Sequence, residues 1–147
     1  MRSVYGPEEH LDAAQLSGFK GVRLVAVATL NSKGEPRVAP RSAAFLHGSF
    51  YLAVNAKSVT ARRLLANHTM SFTYYENKLL ILGHGTAFPL PRGSQAFESV
   101  RPEWEKAFRG GRDALEGIDM FMRLDAVHLV AFAHRPGSYP GAWEPRK

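Results

Sequence analysis

Cysteine is absent from this chain of 147 residues. Without cysteine there can be no disulfide bond, no thiolate metal site and no cysteine nucleophile, and the absence agrees with a reducing compartment. The six histidines include no pair at the i,i+4 spacing of a zinc-binding helix. We therefore predict no metal site. The serines lack the G-x-S-x-G context of a hydrolase nucleophile.

Long hydrophobic runs are also missing. No stretch approaches the roughly 20 apolar residues of a membrane-spanning helix, and the first residues, MRSVYGPEEHL, hold acids where a signal peptide has an apolar core. The net charge is +6, but no five basic residues stand together, which argues against a polybasic tail. The aromatic segment 72–75 has no interleaved basic residue, as a nucleic-acid surface would. We expect a soluble cytoplasmic protein that binds neither membrane nor nucleic acid.

What the sequence does contain is ordinary for a globular protein, with 45% apolar and 22% charged residues. The length predicts a single domain over residues 1–147. Alternating and β-branched segments separated by turn residues predict strands at 22–30, 37–46, 49–54, 69–76, 79–90 and 118–134. Helical patterns predict short helices at 7–16, after residue 58, at 94–100 and at 102–108. Strands in meander order without βαβ alternation indicate a mainly β fold, a closed or split antiparallel barrel.

Three features of the predicted strands suggest local structure. The segment 22–30 is nearly all apolar, which predicts either burial on both faces, with a partner subunit as cover, or the centre of a barrel wall. Pro40 predicts a bulge or an unpaired edge in the second strand. Gly83 and Gly85 predict a sharp bend or the close approach of another backbone. His84, between them, is either a ligand or an ordinary strand residue.

The stretch 55–67, NAKSVTARRLLAN, joins the third strand to a helix whose natural N-cap is Ser58. Its apolar face is predicted to contain Val59, Ala61, Leu64, Leu65 and Ala66. Lys57, Arg62 and Arg63 lie near the helix start, and the stretch has no acid, although a helix N-terminus favours acids. Such a start is either a phosphate cradle or a basic surface helix.

Four segments in order, VATL, NSKGEPRVAP, KSVTARRLLAN and GHGTA, resemble the pyridoxamine 5′-phosphate oxidase-like, FMN-binding split-barrel family. The likeness covers residues 22–90 and extends to the last strand. It implies a six-stranded antiparallel split β-barrel with short helices, and a homodimer with a flavin-type cofactor at the subunit interface. In this chain the ring of the cofactor would lie along Val38, Ala39, Pro40, Arg41 and Ser42. The phosphate and ribityl chain would be held by Asn55, Ala56, Lys57, Ser58 and Arg62.

The resemblance implies FMN as the cofactor, with the deazaflavin F420 as the alternative. Many members carry a basic residue two positions after the serine, where this chain has Thr60, so Lys57, Arg62 or Arg63 would replace that cation. We expect an FMN- or F420-dependent oxidoreductase acting on a small organic substrate. The alternative is a non-catalytic carrier or sensor of flavin or haem. No residue stands out as a catalytic acid, base or nucleophile, which suits a protein whose cofactor carries the hydride chemistry. Tyr139 and Trp143 either cap the pocket or pack beside it.

Overall fold

Eight elements make up the part of the chain that the computed structural model describes, residues 19–76, 79–108 and 115–133. The predicted helix at 7–16, and Tyr139 and Trp143, lie outside these residues. The elements in chain order are β1 (Arg23–Leu30), β2 (Pro36–Leu46), β3 (Ser49–Val54), α1 (Val59–Ala66), β4 (Thr69–Glu76), β5 (Leu79–Pro91), α2 (Gln95–Ala107) and β6 (Met120–Ala133). The six predicted strands are confirmed to within two residues at each end.

The six strands form a closed antiparallel barrel in the order β1-β2-β3-β6-β5-β4. Pairing of β1 with β4, through Val27 and Phe72, closes the ring of strands, and β6 inserts between β3 and β5. The prediction of a mainly β, six-stranded antiparallel barrel is therefore confirmed. The extent of the domain over residues 1–147 stays a prediction.

Strand β1 shows how the barrel wall is built. Its inward side chains, Val25, Val27 and Thr29, are buried, whereas the alternate outward ones are half-buried or exposed. This alternation is that of a wall with one face buried within the chain, and cover of the other face by a partner subunit stays a prediction. The outer face of β1 remains open in the described residues and lines the grooves described below.

Pro40 does not produce a bulge. The pairing of β1 with β2 runs without a register shift through Ala26 and Pro40. Pairing of β2 with β3 begins only at Ser42, opposite Ala53, so the first half of β2 has β1 as its one neighbour among the described strands. The predicted unpaired edge is thus confirmed and the bulge is wrong, because a proline on such an edge removes no ladder hydrogen bond.

The two glycines of β5 both allow close contacts, and the predicted approach of another backbone is confirmed at Gly85. A Cβ at Gly83 would overlap the ring of Phe72, which fills the barrel interior beside it. A Cβ at Gly85 would overlap the backbone carbonyl of Asp125 on β6, and the β5–β6 register shifts between His84 and Gly85. Ring packing needs the first glycine, and backbone contact at a bulge needs the second.

Helix α2 is one continuous helix with Pro102 inside it, so the prediction of two helices at 94–100 and 102–108 is wrong. Ser94 caps its start, and its buried face is formed by Phe97, Val100 and Trp104. Phe97 and Trp104 pack on Phe121 of β6 at ring-centroid distances of 4.6 and 5.1 Å. Burial of two large aromatic side chains offsets the roughly 3 kcal/mol that an interior proline costs a helix.

Candidate cofactor site

The loop between β3 and α1 is held by hydrogen bonds within the chain. Asn55 accepts from the backbone N–H of Lys57 at 2.8 Å and donates to the carbonyl of Gly117 at 3.1 Å. The backbone N–H of Ser58 donates to the carbonyl of Asn55 at 2.9 Å. Asn55 is therefore a turn-forming residue whose side chain is already used, as asparagine commonly is in such turns.

Ser58 is the N-cap of α1, as predicted. Its backbone is extended, and its Oγ accepts from the N–H of Ala61 at 3.1 Å. The N–H groups of Val59 and Thr60 make no hydrogen bond within the described chain. The helix start thus keeps two donors, the usual surplus at an N-terminus.

An acidic side chain does lie at the start of α1, although the stretch 55–67 itself contains none. Asp119, 63 residues further along the chain, accepts the backbone N–H of Ala56 at 2.6 Å. That donor is therefore occupied, and an anion placed on it would meet a carboxylate. The side of α1 that carries Arg62 has no such carboxylate among the described contacts.

The buried face of α1 differs from the predicted one. Thr60, Ala61 and Leu64 are buried, whereas Val59 and Leu65 are 45% and 43% exposed. The first three lie within one stripe at helical spacing and face the barrel. Because the side chain at residue 60 points inward, a basic residue there would bring a charge into the interior, so threonine suits this position.

A groove of about 730 Å³, lined by both polar and apolar groups, lies between α1 and the turn that joins β1 to β2. Arg62 and Arg63 both line it, and neither side chain makes a hydrogen bond or ion pair within the described residues. We call it the cationic groove. Its lining consists of Leu30, Asn31, Ser32, Gly34, Val59, Arg62, Arg63, Ala66 and Asn67.

The turn on the other side of the cationic groove is held by hydrogen bonds to Asn31. The side-chain oxygen of Asn31 accepts from the N–H of Lys33 at 3.0 Å and from that of Glu35 at 2.9 Å. Gly34 has a positive φ of 77°, which a glycine adopts without strain. The NSKG segment of the sequence is thus the turn that forms one wall of the groove.

A second, mostly apolar groove of about 420 Å³ lies on the outer face of the barrel. We call it the apolar groove. It crosses five neighbouring strands and is lined by Ala26, Ala28, Val38, Ser71, Phe72, Thr73, Leu82, Gly83, His84 and His128. The small side chains of Ala26 and Ala28 on β1 leave that part of its floor flat.

The two grooves follow each other along the outer face of β1. Ala26 and Ala28 line the apolar groove, and Leu30 lines the cationic groove. These are alternate residues of one strand, so they share a face, and the Cα atoms of Ala28 and Leu30 are about 7 Å apart. An apolar surface and a cationic one therefore lie end to end on the same side of the molecule.

The structure brings together only part of the predicted site. Arg62 lines the cationic groove and Val38, 70% exposed, lines the apolar groove. The other predicted residues line neither groove: on β2 these are Ala39, Pro40, Arg41 and Ser42, and in the loop Asn55, Ala56, Lys57 and Ser58. The guanidinium of Arg41 donates to the carbonyl of Pro40 at 2.8 Å.

Other lining residues were not among the predicted site residues. Arg63 and Asn31 lie within segments that the sequence analysis singles out, and Arg63 is named there as an alternative cation for the phosphate. Ser71 and His128 had no such signal in the sequence, because only strand register brings them beside His84. Among the described residues there is no cluster of three or more metal-ligating side chains, and no helix long and apolar enough to span a membrane.

The sequence matches no family model, and no curated protein is detectably similar to it. Solved structures are similar in fold. HupZ of group A Streptococcus is 18% identical, with a TM-score of 0.58 over 79% of this chain and 86% of that one. A heme-binding protein from Mycobacterium smegmatis is 16% identical, with a TM-score of 0.63 over 91% and 55%. A pyridoxamine 5′-phosphate oxidase-related, FMN-binding protein from Nostoc punctiforme is 14% identical, with a TM-score of 0.54 over 74% and 73%. At these identities the likeness shows the fold.

Proposed function

We propose that this chain, which has the split-barrel fold of the pyridoxamine 5′-phosphate oxidase-like proteins, binds a flavin-type cofactor and acts as an oxidoreductase on a small organic substrate. The cofactor is FMN, or alternatively F420. The observation that carries the proposal is the end-to-end placement of the apolar and cationic grooves along β1. A flavin has the matching shape and chemistry, a flat ring system followed by an anionic tail.

The ring system would lie in the apolar groove. Its floor at Ala26 and Ala28 carries only methyl side chains, which do not obstruct a planar group, and Val38 stands at one side. Removing apolar surface from water stabilises such a complex by roughly 25 cal/mol for each Å² buried. The cofactor ring would thus cover apolar side chains on the outer face of the barrel that the described chain leaves exposed.

The phosphate would lie in the cationic groove. Arg62 and Arg63 have no competing anion among the described residues, so an incoming phosphate need not break an ion pair. Planar guanidinium groups bind phosphate oxygens through paired, charge-assisted hydrogen bonds. Lys57, exposed near the same helix start, would add a longer-range attraction.

Bound flavin or deazaflavin supplies the hydride chemistry, and the chain supplies position and electrostatics. We assign no catalytic residue. The predicted β2 residues that line neither groove, Ala39, Pro40, Arg41 and Ser42, would contact the cofactor from a second copy of the chain in a homodimer with the cofactor at the interface. The substrate would enter from the open side of the apolar groove.

Replacing Arg62 by alanine tests the placement of the phosphate. Loss of its charge-assisted hydrogen bonds, each worth about 1.5–3 kcal/mol, should weaken cofactor binding by roughly one to two orders of magnitude. The melting temperature of the cofactor-free protein should barely change, because a cation near a helix N-terminus adds no stability. Titration of FMN and of F420 into wild type and variant measures the first effect, and thermal melts measure the second.

Arg101→Ala is the matched control for this variant. Arg101 is also a helical arginine, but it lies on α2 and pairs with Glu98 and Glu105. We expect it to leave cofactor affinity unchanged. Equal affinities for wild type and Arg62→Ala would remove Arg62 from the site, and with it the proposed use of the cationic groove.

The alternative function is a non-catalytic carrier or sensor of flavin or haem. The apolar groove would hold either flat ring system, and one of the similar structures is a heme-binding protein. The visible absorbance spectrum of the purified protein distinguishes flavin, deazaflavin and haem. An enzyme can be distinguished from a carrier by reducing the bound cofactor anaerobically and then adding small organic electron acceptors. In an enzyme, an acceptor that is a substrate should reoxidise the bound cofactor rapidly, whereas in a carrier it should not.

A further inference from the structure

We propose that His84 and His128 together bind one divalent transition-metal ion, of the Cu²⁺, Ni²⁺ or Zn²⁺ type, on the outer face of the barrel. The two histidines lie on neighbouring strands, β5 and β6, at the end of the apolar groove away from β1. Strand β4 stands between them and β1, and neighbouring strands are about 4.8 Å apart. The site therefore lies at the far end of the same groove from Ala26 and Ala28, the part of the floor on which we place the cofactor ring.

Register places the two side chains together. His84 and His128 are direct partners in the β5–β6 ladder, and both are exposed on the same face of the barrel. The Cβ atoms of directly opposed residues lie about 4.5–5.5 Å apart. Imidazole nitrogens bind zinc at about 2.0–2.1 Å, so each ring can offer one nitrogen to a single ion between them.

Ser71 orients one of the rings. Its Oγ lies 2.8 Å from Nδ1 of His84, and the two residues are direct partners in the β4–β5 ladder. A hydrogen bond on Nδ1 leaves Nε2 of His84 as the nitrogen for the ion. Histidines that bind metals commonly use their second ring nitrogen in such a hydrogen bond, which fixes the ring.

A β-bulge adjoins the pair. The β5–β6 register shifts directly after His84, because Gly85 pairs with Ala126 and leaves Val127 as the extra residue on β6. Residues 125–128 are consequently all exposed. Bulges change the direction of side chains and occur often beside functional sites. Here the bulge brings His128 to the outer face opposite His84.

The chemistry of the pair selects the class of ion. Imidazole suits copper, nickel and zinc, with Cu²⁺ binding most tightly in the general order of affinities, whereas Mg²⁺ and Ca²⁺ need oxygen ligands. The nearby carboxylate of Asp125 is held by Arg123 at 2.8 Å, so it is already paired. With two protein ligands, the ion keeps open positions toward the apolar groove for water or a small ligand.

Calorimetric titration of the cofactor-free chain with CuSO₄, NiCl₂ and ZnCl₂ tests the proposal. We expect one ion for each chain, with Cu²⁺ bound most tightly. His84→Ala and His128→Ala should each weaken binding at least tenfold, since each removes one of the two ligands. Ser71→Ala should weaken it by about tenfold through loss of ring orientation. Thermal melts of the metal-free variants show whether they are folded.

Two exposed histidines elsewhere provide matched controls. His68→Ala and His47→Asn should leave the metal affinity unchanged; asparagine is chosen because His47 has a positive φ of 51°, which asparagine tolerates. Unchanged binding in both His84→Ala and His128→Ala, or a loss in only one of them, would overturn the proposal. Because no cofactor is present in the titration, the outcome does not depend on whether FMN binds.

Discussion

Tyr74 is an ionisable side chain of the barrel interior. Its ring contacts Phe19 at a centroid distance of 4.7 Å, and its hydroxyl donates to Glu76 at 3.2 Å. Burial raises the pKa of Tyr74, and the Glu76 carboxylate raises that pKa further. The neighbouring Tyr75 faces outward and is exposed, so the two side chains point in opposite directions, as the strand pattern predicts.

Replacing Tyr74 by phenylalanine should therefore alter the response to alkali. The raised pKa contributes stability in full below the ordinary tyrosine pKa of about 10, and the contribution is lost as pH rises through the higher folded-state value. The melting temperature of wild type should fall more steeply above about pH 10 than that of Tyr74→Phe. Tyr75→Phe is the control and should keep the wild-type slope. Equal slopes for all three proteins would show that Tyr74 does not govern alkaline unfolding.

Asp119 combines two effects that substitution can separate. Asp119→Ala leaves the Ala56 N–H without its acceptor, which should cost about 1–3 kcal/mol of unfolding free energy. Asp119→Asn keeps an acceptor oxygen and removes the charge, so we expect a smaller loss of stability and tighter binding of a phosphate-bearing cofactor. Denaturant unfolding and FMN titration measure the two quantities. Weaker FMN binding by a folded Asp119→Asn protein would contradict this electrostatic role.

The packing of β4 against β5 depends on Gly83. Gly83→Ala should destabilise the protein by about 1–3 kcal/mol, because its Cβ would collide with the Phe72 ring in a close-packed interior. Thr86→Ala, on the exposed face of the same strand, should change the unfolding free energy by no more than about 0.5 kcal/mol.

A second substitution identifies the cause. Phe72→Leu removes ring atoms at the point of collision, so the double variant Gly83→Ala/Phe72→Leu should lose less stability than the two single losses added together. Denaturant unfolding of the four proteins completes the cycle. Additive losses would show that the contact with the Phe72 ring does not make alanine unfavourable at residue 83.

The outer faces of β1 and β2 carry exposed apolar side chains that bear on how copies of the whole chain assemble. Leu24 and Val38 on these neighbouring strands are 69% and 70% exposed, and Val38 also borders the apolar groove. Large apolar side chains so exposed are typical of an interaction surface. We propose that a second copy of the chain covers this face in a two-fold contact, which would also enclose the cofactor ring.

Light scattering at micromolar concentration should therefore give twice the chain mass of 16.3 kDa. Val38→Asp should give the single-chain mass and weaker cofactor binding, because burying a carboxylate in an apolar contact is costly. Leu65→Asp, at an exposed position on α1, is the control and should stay dimeric. A single-chain mass for wild type would contradict the proposed assembly.

Local features of the chain were predictable because they depend on near neighbours in the sequence. Strand positions follow from alternation, the Ser58 cap acts three residues away on Ala61, and the glycines of β5 mark close approach. Where prediction failed, distant packing had decided the outcome. Helix α2 continues through Pro102 because Phe97 and Trp104 pack on Phe121, and the buried face of α1 is the one turned toward the barrel.

The candidate sites depend most on tertiary structure. Asp119 meets Ala56, and His84 meets His128, only after the strands have paired in one register. The residues between such partners do not reveal that register. A shift of one residue would turn the same side chains to the opposite face of the sheet. Sequence alone therefore determined Arg62 and its helix as a candidate cradle for an anion. Barrel closure decided that Arg62 stands in a cationic groove, at the end of an apolar one.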